Sequence, residues 1–455
     1  MPYLSFDPYY GKETARYNDI DNFELEQLVS DVHNAWSDWS SFEIKTRVEL
    51  LNMLSARLVE EAEYHGKLIT SEMGKPVSQS VAEVRKCATL CSFYADNLEE
   101  YLRSESRNSS ASYSSIQYCP QGIILGIMPW NFPYWQALRF MIPVLSGGNA
   151  VILKHASNVP RCAIAIEDLF VKTGFPENLV RNAFISYNQV ERLIGCKEIR
   201  GVSLTGSNKA GSLIASAAGK NLKKCVLELG GNDPFIVMND ADIEKAAEAA
   251  IYGRFQNCGQ SCIAAKRLFL QEGIHDRFLE LFLEKLSFLR CGNPHEYDTF
   301  IGPLVNRKAF DEIRGLVEQA ARSGAKILAG GKPFSDEHNI YFPTVIGDVS
   351  VQSPLLEEEV FGPVLPVIRF TTTREVIAAA NSSRYGLGAS LWTNDEKTAS
   401  EVASVLDTGT VSVNGFVRSD PALPFGGVKD SGYGRELSIE GFREFLNVKT
   451  VSYFR

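Results

Sequence analysis

Residues 122–154 have the sequence GIILGIMPWNFPYWQALRFMIPVLSGGNAVILK. The two ends, GIILGIMP and AVILK, are short apolar runs typical of buried strands, and a helical segment lies between them. Further apolar runs occur at 201–206, 225–231 and 234–238, and helical stretches separate several of them. Strand–helix alternation of this kind predicts a parallel sheet in a doubly wound α/β fold.

The regions around this stretch predict helices, an arm and a second α/β series. From about residue 24 to 102, leucines recur at helical spacing, and GKP at 74–76 interrupts the run. The Ser-rich stretch at 104–115 is either a disordered linker or exposed extended chain, and the partial alternation in SYSSIQY favours an extended arm. A second strand–helix series runs from about 241 to 431, and the C-terminal NVKTVSYF predicts a strand.

Length and composition exclude several classes of protein. A chain of 455 residues is too long for one core, so two domains are expected. A net charge of −9 without a basic block argues against nucleic-acid binding. No apolar run reaches membrane-spanning length and the N-terminus has no secretory pattern, so we expect a cytoplasmic protein without a membrane partner.

The cysteines and histidines predict reduced thiols and no metal site. The nine cysteines are odd in number and irregularly spaced, which argues against a disulfide framework. No CxxC occurs, and the six histidines lack zinc-ligand spacing.

The hexapeptide NCGQSC at 257–262 contains a candidate nucleophile. Cys262 precedes IAAKR, which predicts the start of a helix, where backbone N–H groups and the helix dipole favour a thiolate. The alternative is a buried inert cysteine, and the hexapeptide alone does not decide between the two. Cys258 is expected to be a packing residue, with a role in oxidation of Cys262 as the alternative.

Two further polar residues lie at the ends of predicted strands. Glu228 ends the apolar run of VLELGG, where a carboxyl with a raised pKa is either a general base or a salt-bridged structural group. Asn131 lies between a strand and a helix, where its amide either donates to an oxyanion or caps the helix.

The helix after Asn131 carries an isolated cation. Phe132, Trp135 and Arg139 share one helix face, and Arg139 is the lone charge of a strongly apolar segment. It requires either an internal carboxylate or an anionic ligand. In LTGSNKAG, Gly206 and Ser207 follow a strand and precede a helix, which is the geometry of a pyrophosphate site.

Taken together, six motifs resemble those of the aldehyde dehydrogenase superfamily, in the family's order and over nearly the whole chain. They are PWNFP, LTGS, LELGG, NCGQSC, EEVFGPV and PFGGVKDSGYGRE. The resemblance implies a Rossmann-like coenzyme domain, an α/β catalytic domain and a small bridging sheet. The implied bounds are 1–103 with 121–227 for the coenzyme domain, 228–430 for the catalytic domain, and 104–120 with 431–455 for the bridge. Pairing of the arm with the C-terminal strand would form this bridge, so a homodimer or a dimer of dimers is expected.

The resemblance also implies catalytic roles. Cys262 would attack an aldehyde carbon to form a thiohemiacetal, and Asn131 with the backbone N–H of Cys262 would stabilise the oxyanion. After hydride transfer leaves a thioester, Glu228 would activate the water that releases the acid. A thiol-dependent esterase or hydrolase is the competing class, because it too would use a thiol and an oxyanion site.

A dinucleotide site is implied as well. Glu359 would hold the nicotinamide ribose, with Phe361 packing nearby. Trp130 and Ser207 would lie along the pyrophosphate, and Lys154 would bind the adenosine ribose. NAD-preferring relatives often carry a glutamate where this chain has Ser157, so NADP is expected to be accepted and preferred, with NAD usable.

Within the superfamily, KHASN, KKCVLELGG and GFVRSDPALPFGG are similar to bacterial succinate-semialdehyde dehydrogenases. By that similarity Arg139 would bind the substrate carboxylate with help from Ser419, beside Phe132 and Trp135. Some relatives have a second arginine where this chain has Gln256, so glutarate semialdehyde and uncharged aliphatic aldehydes are alternative substrates. A role in 4-aminobutyrate catabolism follows from the resemblance alone.

Overall fold

The computed structural model describes residues 3–350 and 352–454. Its helices are α1 (Asn22–Trp39), α2 (Ile44–Glu60), α3 (Ala62–Met73), α4 (Val77–Leu102), α5 (Pro133–Ser146), α6 (Pro160–Thr173), α7 (Tyr187–Gly195), α8 (Asn208–Lys220), α9 (Ile243–Phe255), α10 (His275–Ser287), α11 (Arg307–Arg322), α12 (Pro354–Glu357), α13 (Thr373–Asn381), α14 (Glu396–Val405) and α15 (Ser438–Arg443). A 3-10 helix covers Gln256–Gly259.

The strands lie mainly in three sheets. They are β1 (Tyr3–Asp7), β2 (Lys12–Tyr17), β3 (Glu105–Ser106), β4 (Tyr113–Cys119), β5 (Ile123–Met128), β6 (Ala150–His155), β7 (Val180–Asn182), β8 (Ile199–Thr205), β9 (Lys224–Glu228), β10 (Asp233–Val237), β11 (Ala265–Gln271), β12 (Lys326–Ala329), β13 (Pro333–Ser335), β14 (Ile340–Tyr341), β15 (Thr344–Gly347), β16 (Val364–Phe370), β17 (Tyr385–Gly386), β18 (Gly388–Trp392), β19 (Thr410–Val413), β20 (Val428–Lys429), β21 (Gly432–Tyr433) and β22 (Asn447–Tyr453).

The first sheet contains the stretch at 122–154 and has the order β21-β9-β8-β5-β6-β7. Its strands are parallel except β21, which pairs antiparallel with β9. The apolar side chains of β5 and β6 are buried, and α5 connects the two strands as predicted. The doubly wound α/β prediction is therefore confirmed.

A second sheet of seven strands has the order β12-β15-β16-β11-β10-β18-β19. Only β12 runs antiparallel to its neighbour, so the expected second α/β series is present. The run at 234–238 forms β10 of this sheet rather than a strand of the first. The active-site segments therefore come from two sheets.

The third sheet has the order β22-β4-β3 and joins the Ser-rich arm to the end of the chain. Strand β22 pairs antiparallel with β4 over seven residue pairs, from Asn447 with Cys119 to Tyr453 with Tyr113. The extended arm and the C-terminal strand are thus confirmed. The predicted domain bounds remain a prediction, and β21 shows that the segment after residue 430 also contributes to the first sheet.

The helical region before the arm divides into α1–α4, and the break at GKP is confirmed. Gly74 takes φ 78° at the C-terminal end of α3, a left-handed conformation that glycine adopts at no steric cost. The hairpin of β1 and β2 was not expected from the sequence; its Leu4 N–H donates to the carbonyl of Ser157. In the described residues, none of the helices is long and apolar enough to cross a membrane.

Gly126, in the middle of β5, is required by the packing of α5 on the first sheet. A Cβ there would lie 2.4 Å from the Phe140 ring. We expect Gly126→Ala to lower the free energy of unfolding by about 1–3 kcal/mol through overpacking. Gly219→Ala is the control, because its Cβ meets nothing within 4 Å. Thermal unfolding midpoints measure both variants, and equal midpoints would contradict this account of the packing.

Candidate active site

Cys262 follows a left-handed turn and does not begin a helix. Asn257, Cys258 and Gly259 have φ values of 53°, 55° and 73°, and the strand β11 begins at Ala265. The predicted helix start was wrong because the segment after the turn pairs with β10 and β16 in the second sheet. A helix dipole therefore does not act on this thiol.

The turn before Cys262 is fixed by side-chain hydrogen bonds. The Asn257 amide donates to the Asn131 carbonyl at 2.8 Å, and its backbone N–H donates to Gln79 Oε1 at 2.8 Å. Asn131 Nδ2 donates to the Gln260 carbonyl at 3.0 Å. Asn131 is not a helix cap, because α5 has Phe132 at its N-cap and no side-chain capping bond. Its amide instead faces the nucleophile segment.

Arg254 connects this turn to the EEVFGPV loop. Its fully buried guanidinium donates to the carbonyls of Val364 at 2.8 Å and Val360 at 3.1 Å, and also to those of Gly362 and Gly259. Burial lowers the pKa of Arg254 to about 9, so it remains mostly protonated at neutral pH. One cation thereby holds both the thiol segment and the Glu359 segment.

The Cys262 side chain is half-buried and its thiol is a weak acid in this structure. Burial raises its pKa to about 12, opposed by the nearby Lys266 and Arg139. The Lys266 ammonium donates to the Cys262 carbonyl at 2.5 Å. The thiol therefore holds its proton at neutral pH until a base removes it. Cys258 is buried, and its Sγ donates to the Gly302 carbonyl, which fits a packing residue.

Glu228 ends β9 and is almost fully buried. Burial raises its pKa well above the usual range, and the neighbouring Glu436 raises it further, while Arg139 and Arg435 lower it. Neither carboxyl oxygen has a hydrogen-bond partner in the part of the chain that the structure describes. Within the described residues this carboxyl has no salt bridge, and Glu228 is not among the wall residues of either cavity beside Cys262. Its environment suits a group that exchanges protons.

A cavity of 210 Å³ opens on one side of Cys262. All four predicted substrate residues line it with the thiol: Phe132, Trp135, Arg139 and Ser419. Sequence reasoning missed other wall residues, which include Lys86, Tyr252, Phe416, Val417 and Phe425. Phe416, Val417 and Phe425 lie within the motif GFVRSDPALPFGG, whereas no local motif marks Lys86 or Tyr252.

Arg139 is buried at the inner wall of this cavity and has an internal partner. Its Nε contacts the Glu436 carboxylate, and its guanidinium lies 4.6 Å from the centre of the Phe425 ring. Among the described residues its Nη2 has no hydrogen-bond partner. Of the two alternatives for this cation, the internal carboxylate is therefore present, and the arginine also lines the cavity that an anionic ligand would enter.

A second cavity of 220 Å³ opens on the other side of Cys262. Its walls contain Asn131 and five of the predicted cofactor residues: Trp130, Gly206, Ser207, Glu359 and Phe361. Ser207 caps the N-terminus of α8, a site that favours an anion. These residues fit a dinucleotide whose phosphates lie at α8.

The remaining cofactor candidates lie outside these walls. Lys154 Nζ lies over the rings of Tyr3 and Tyr187, at 5.5 and 5.7 Å from their centres. Burial lowers the pKa of Lys154. Ser157, three residues after Lys154 in the sequence, is exposed. Glu359 already accepts from the Gly231 N–H at 3.2 Å and pairs with Lys266 at 3.1 Å.

Comparison with known proteins decides the family. The model of the aldehyde dehydrogenase family matches residues 2–451. The chain belongs to the aldehyde dehydrogenase family.

Individual relatives match over full length. The protein named succinate-semialdehyde dehydrogenase [NADP(+)] 1 of Mycobacterium bovis is 41% identical over 99% of both chains. An aldehyde dehydrogenase of Paenarthrobacter nicotinovorans is also 41% identical over 99% of both. The structure of succinic semialdehyde dehydrogenase from Streptococcus pyogenes in complex with NADP+ superposes with a TM-score of 0.97, at 33% identity and 100% coverage of each chain. The predicted aldehyde dehydrogenase fold is confirmed.

The acidity of Cys262 can be measured by alkylation of the free enzyme. Because the thiol pKa is about 12, its rate of reaction with iodoacetamide should rise about tenfold per pH unit between pH 7 and 9. Mass spectrometry of the peptide that carries Cys262 measures the alkylation rate of this thiol. The buried Cys258 on the same segment is the internal control, because its alkylation should be much slower. A plateau below pH 8 would show a stabilised thiolate instead.

Proposed function

We propose that the enzyme oxidises succinate semialdehyde to succinate, with NADP as the preferred oxidant. The observation that carries this proposal is the buried Arg139, a cation that lines the cavity that contains Cys262. A buried cation with a free N–H recognises a carboxylate better than an apolar chain end. The relatives named for this activity support the same substrate.

The proposed reaction begins at the thiol. Cys262 Sγ passes its proton through the Glu228 carboxylate to solvent and bonds to the aldehyde carbon, which gives a thiohemiacetal. The Asn131 amide and the Cys262 backbone N–H donate to the oxyanion. A nicotinamide dinucleotide held by Glu359 and Phe361 would supply the acceptor for the hydride of this carbon. Cys262 is then left as a thioester.

Glu228 acts in the second half of the proposed reaction. Its carboxylate form takes a proton from water, and the resulting hydroxide attacks the thioester carbon. The C–S bond breaks, the acid leaves and the thiolate recovers a proton. The raised pKa of Glu228 makes it a stronger base once ionised. Its side chain would have to move toward Cys262, because Glu228 is not among the described wall residues of either cavity that contains the thiol.

The candidate cofactor residues would contact different parts of the proposed dinucleotide. Glu359 and Phe361 hold the nicotinamide ribose end, and Gly206 and Ser207 at the start of α8 bind the pyrophosphate beside Trp130. The adenosine ribose lies at Lys154 and Ser157. A neutral serine beside a lysine accepts a 2′-phosphate, whereas a carboxylate would repel it.

Three other predictions remain proposals. We propose a homodimer or a dimer of dimers built on the sheet of β3, β4 and β22, whose outer strand exposes Val448 and Tyr453. Glutarate semialdehyde and uncharged aliphatic aldehydes are the alternative substrates. Esterase activity is the alternative reaction, and the second cavity beside Cys262 speaks against it because a hydrolase would not need one.

The substrate proposal is tested by initial rates with succinate semialdehyde and butanal. The two share a carbon chain, so their kcat/KM ratio isolates the carboxylate. We expect the ratio to favour the semialdehyde by about a hundredfold in the wild type, and to fall toward one in Arg139→Ala. Equal kcat/KM values for the two aldehydes in the wild type would refute succinate semialdehyde as the substrate. An unchanged kcat/KM ratio in Arg139→Ala would show that Arg139 has a structural role and does not bind the substrate carboxylate.

Cofactor preference depends on the position of Ser157. We expect Ser157→Glu to raise the ratio of NAD to NADP kcat/KM by about tenfold or more, because a carboxylate there repels the 2′-phosphate. Ser157→Ala is the control, since it removes the hydroxyl and adds no charge. Initial rates with each dinucleotide measure the effect, and a ratio unmoved by Ser157→Glu would place the 2′-phosphate elsewhere.

A further inference from the structure

Lys86 is a second cation in the cavity that contains Cys262. It lies on α4, and its Nζ is 2.8 Å from Ser419 Oγ and 3.9 Å from the centre of the Trp135 ring. Ser419 and Trp135 are two of the proposed substrate residues. The ammonium therefore touches the same wall that the substrate would touch.

This ammonium has no carboxylate partner. In residues 3–350 and 352–454, none of the Asp or Glu side chains forms an ion pair with Lys86. Glu83, one turn earlier on α4, pairs with Lys75 and accepts from the N–H groups of Tyr134 and Trp135 at 2.9 Å each. A desolvated cation without a counter-ion is costly unless a ligand supplies the negative charge.

We propose that Lys86 binds the carboxylate of the substrate, together with Ser419 and Arg139, which line the same cavity. This inference rests on the proposed function and identifies a residue that determines substrate specificity. Gln256 lines the same cavity but is neutral, so it cannot supply the second positive charge. Lys86 supplies that charge from a different element, so Lys86 and Arg139 give the cavity two cations besides the exposed Arg418.

The protonation of Lys86 makes this binding dependent on pH. Burial lowers its pKa to about 8, and Arg139 on α5 lowers it further, while Cys87 and Glu83 on α4 and Asp420 beside Ser419 raise it. Arg418, also in the cavity wall, is exposed. Lys86 is charged below pH 8 and loses its charge above it. The preference for a charged aldehyde should therefore fall as the pH rises through about 8.

The test compares kcat/KM for succinate semialdehyde with kcat/KM for butanal in Lys86→Met, Lys86→Arg and wild type. Methionine keeps the apolar contact with Trp135 and removes the charge, so the ratio should fall about tenfold to a hundredfold. Arginine restores the charge and should retain most of the ratio. Arg85→Met is the matched control, because Arg85 is the neighbouring exposed cation on α4.

The possible results distinguish failure of this inference from failure of the proposed function. A wild type without preference for the semialdehyde would refute the function itself. A wild type with that preference, kept in Lys86→Met at the same ratio, would refute Lys86 alone. Equal losses for both aldehydes would also refute it, because they indicate a structural role.

A second measurement needs no variant. The same ratio in the wild type, followed from pH 6.5 to 9.5, should decline through about 8, because titration of Cys262 affects both aldehydes equally and cancels. Lys86→Arg should show no such decline, since arginine stays charged in this range. A ratio that is flat in the wild type would overturn the assignment.

Discussion

Three consecutive residues before the nucleophile, Asn257 to Gly259, have left-handed backbone, and the site depends on the contacts that hold them there. The two non-glycine residues cost about 1–3 kcal/mol each in this conformation. A Cβ at Gly259 would lie 2.4 Å from the Gly362 carbonyl, so only glycine fits. Arg254, Asn131 and Gln79 offset the cost with hydrogen bonds. This geometry turns the chain sharply and puts Cys262 between two cavities.

Charge buried around this turn is arranged in separate pairs. Lys75 pairs with Glu83, and Arg139 pairs with Glu436. Each pair also orients α5: Glu83 binds the first N–H groups of the helix, and Arg139, in the middle of the helix, lines the same cavity as the thiol. Glu228 and Lys86 have no such partner among the described residues. The unpaired groups are those proposed to meet water and substrate.

Much of the fold follows from the sequence because its strands are continuous apolar runs. Buried parallel strands such as β5 and β6 leave a pattern in the chain, and so does the helix between them. The site was predicted through motifs, which fixed Cys262, Arg139 and Glu359 on the cavity walls. The local backbone at Cys262 was predicted wrongly, since helix and strand starts share short sequences. The roles of Lys86 and Glu436 could not be predicted, because they depend on contacts between segments that are distant in the sequence.

The partner of Arg139 lies within twenty residues of the end of the chain. Glu436 and the strands β21 and β22 follow all strands of the second sheet in the sequence, yet they complete the first and third sheets. During synthesis, α5 is made three hundred residues before its counter-ion, so its arginine has no carboxylate to meet at the inner wall of the cavity. Maturation of the catalytic centre must therefore await synthesis of the segment that carries Glu436, and a chain without that segment leaves the charge uncompensated.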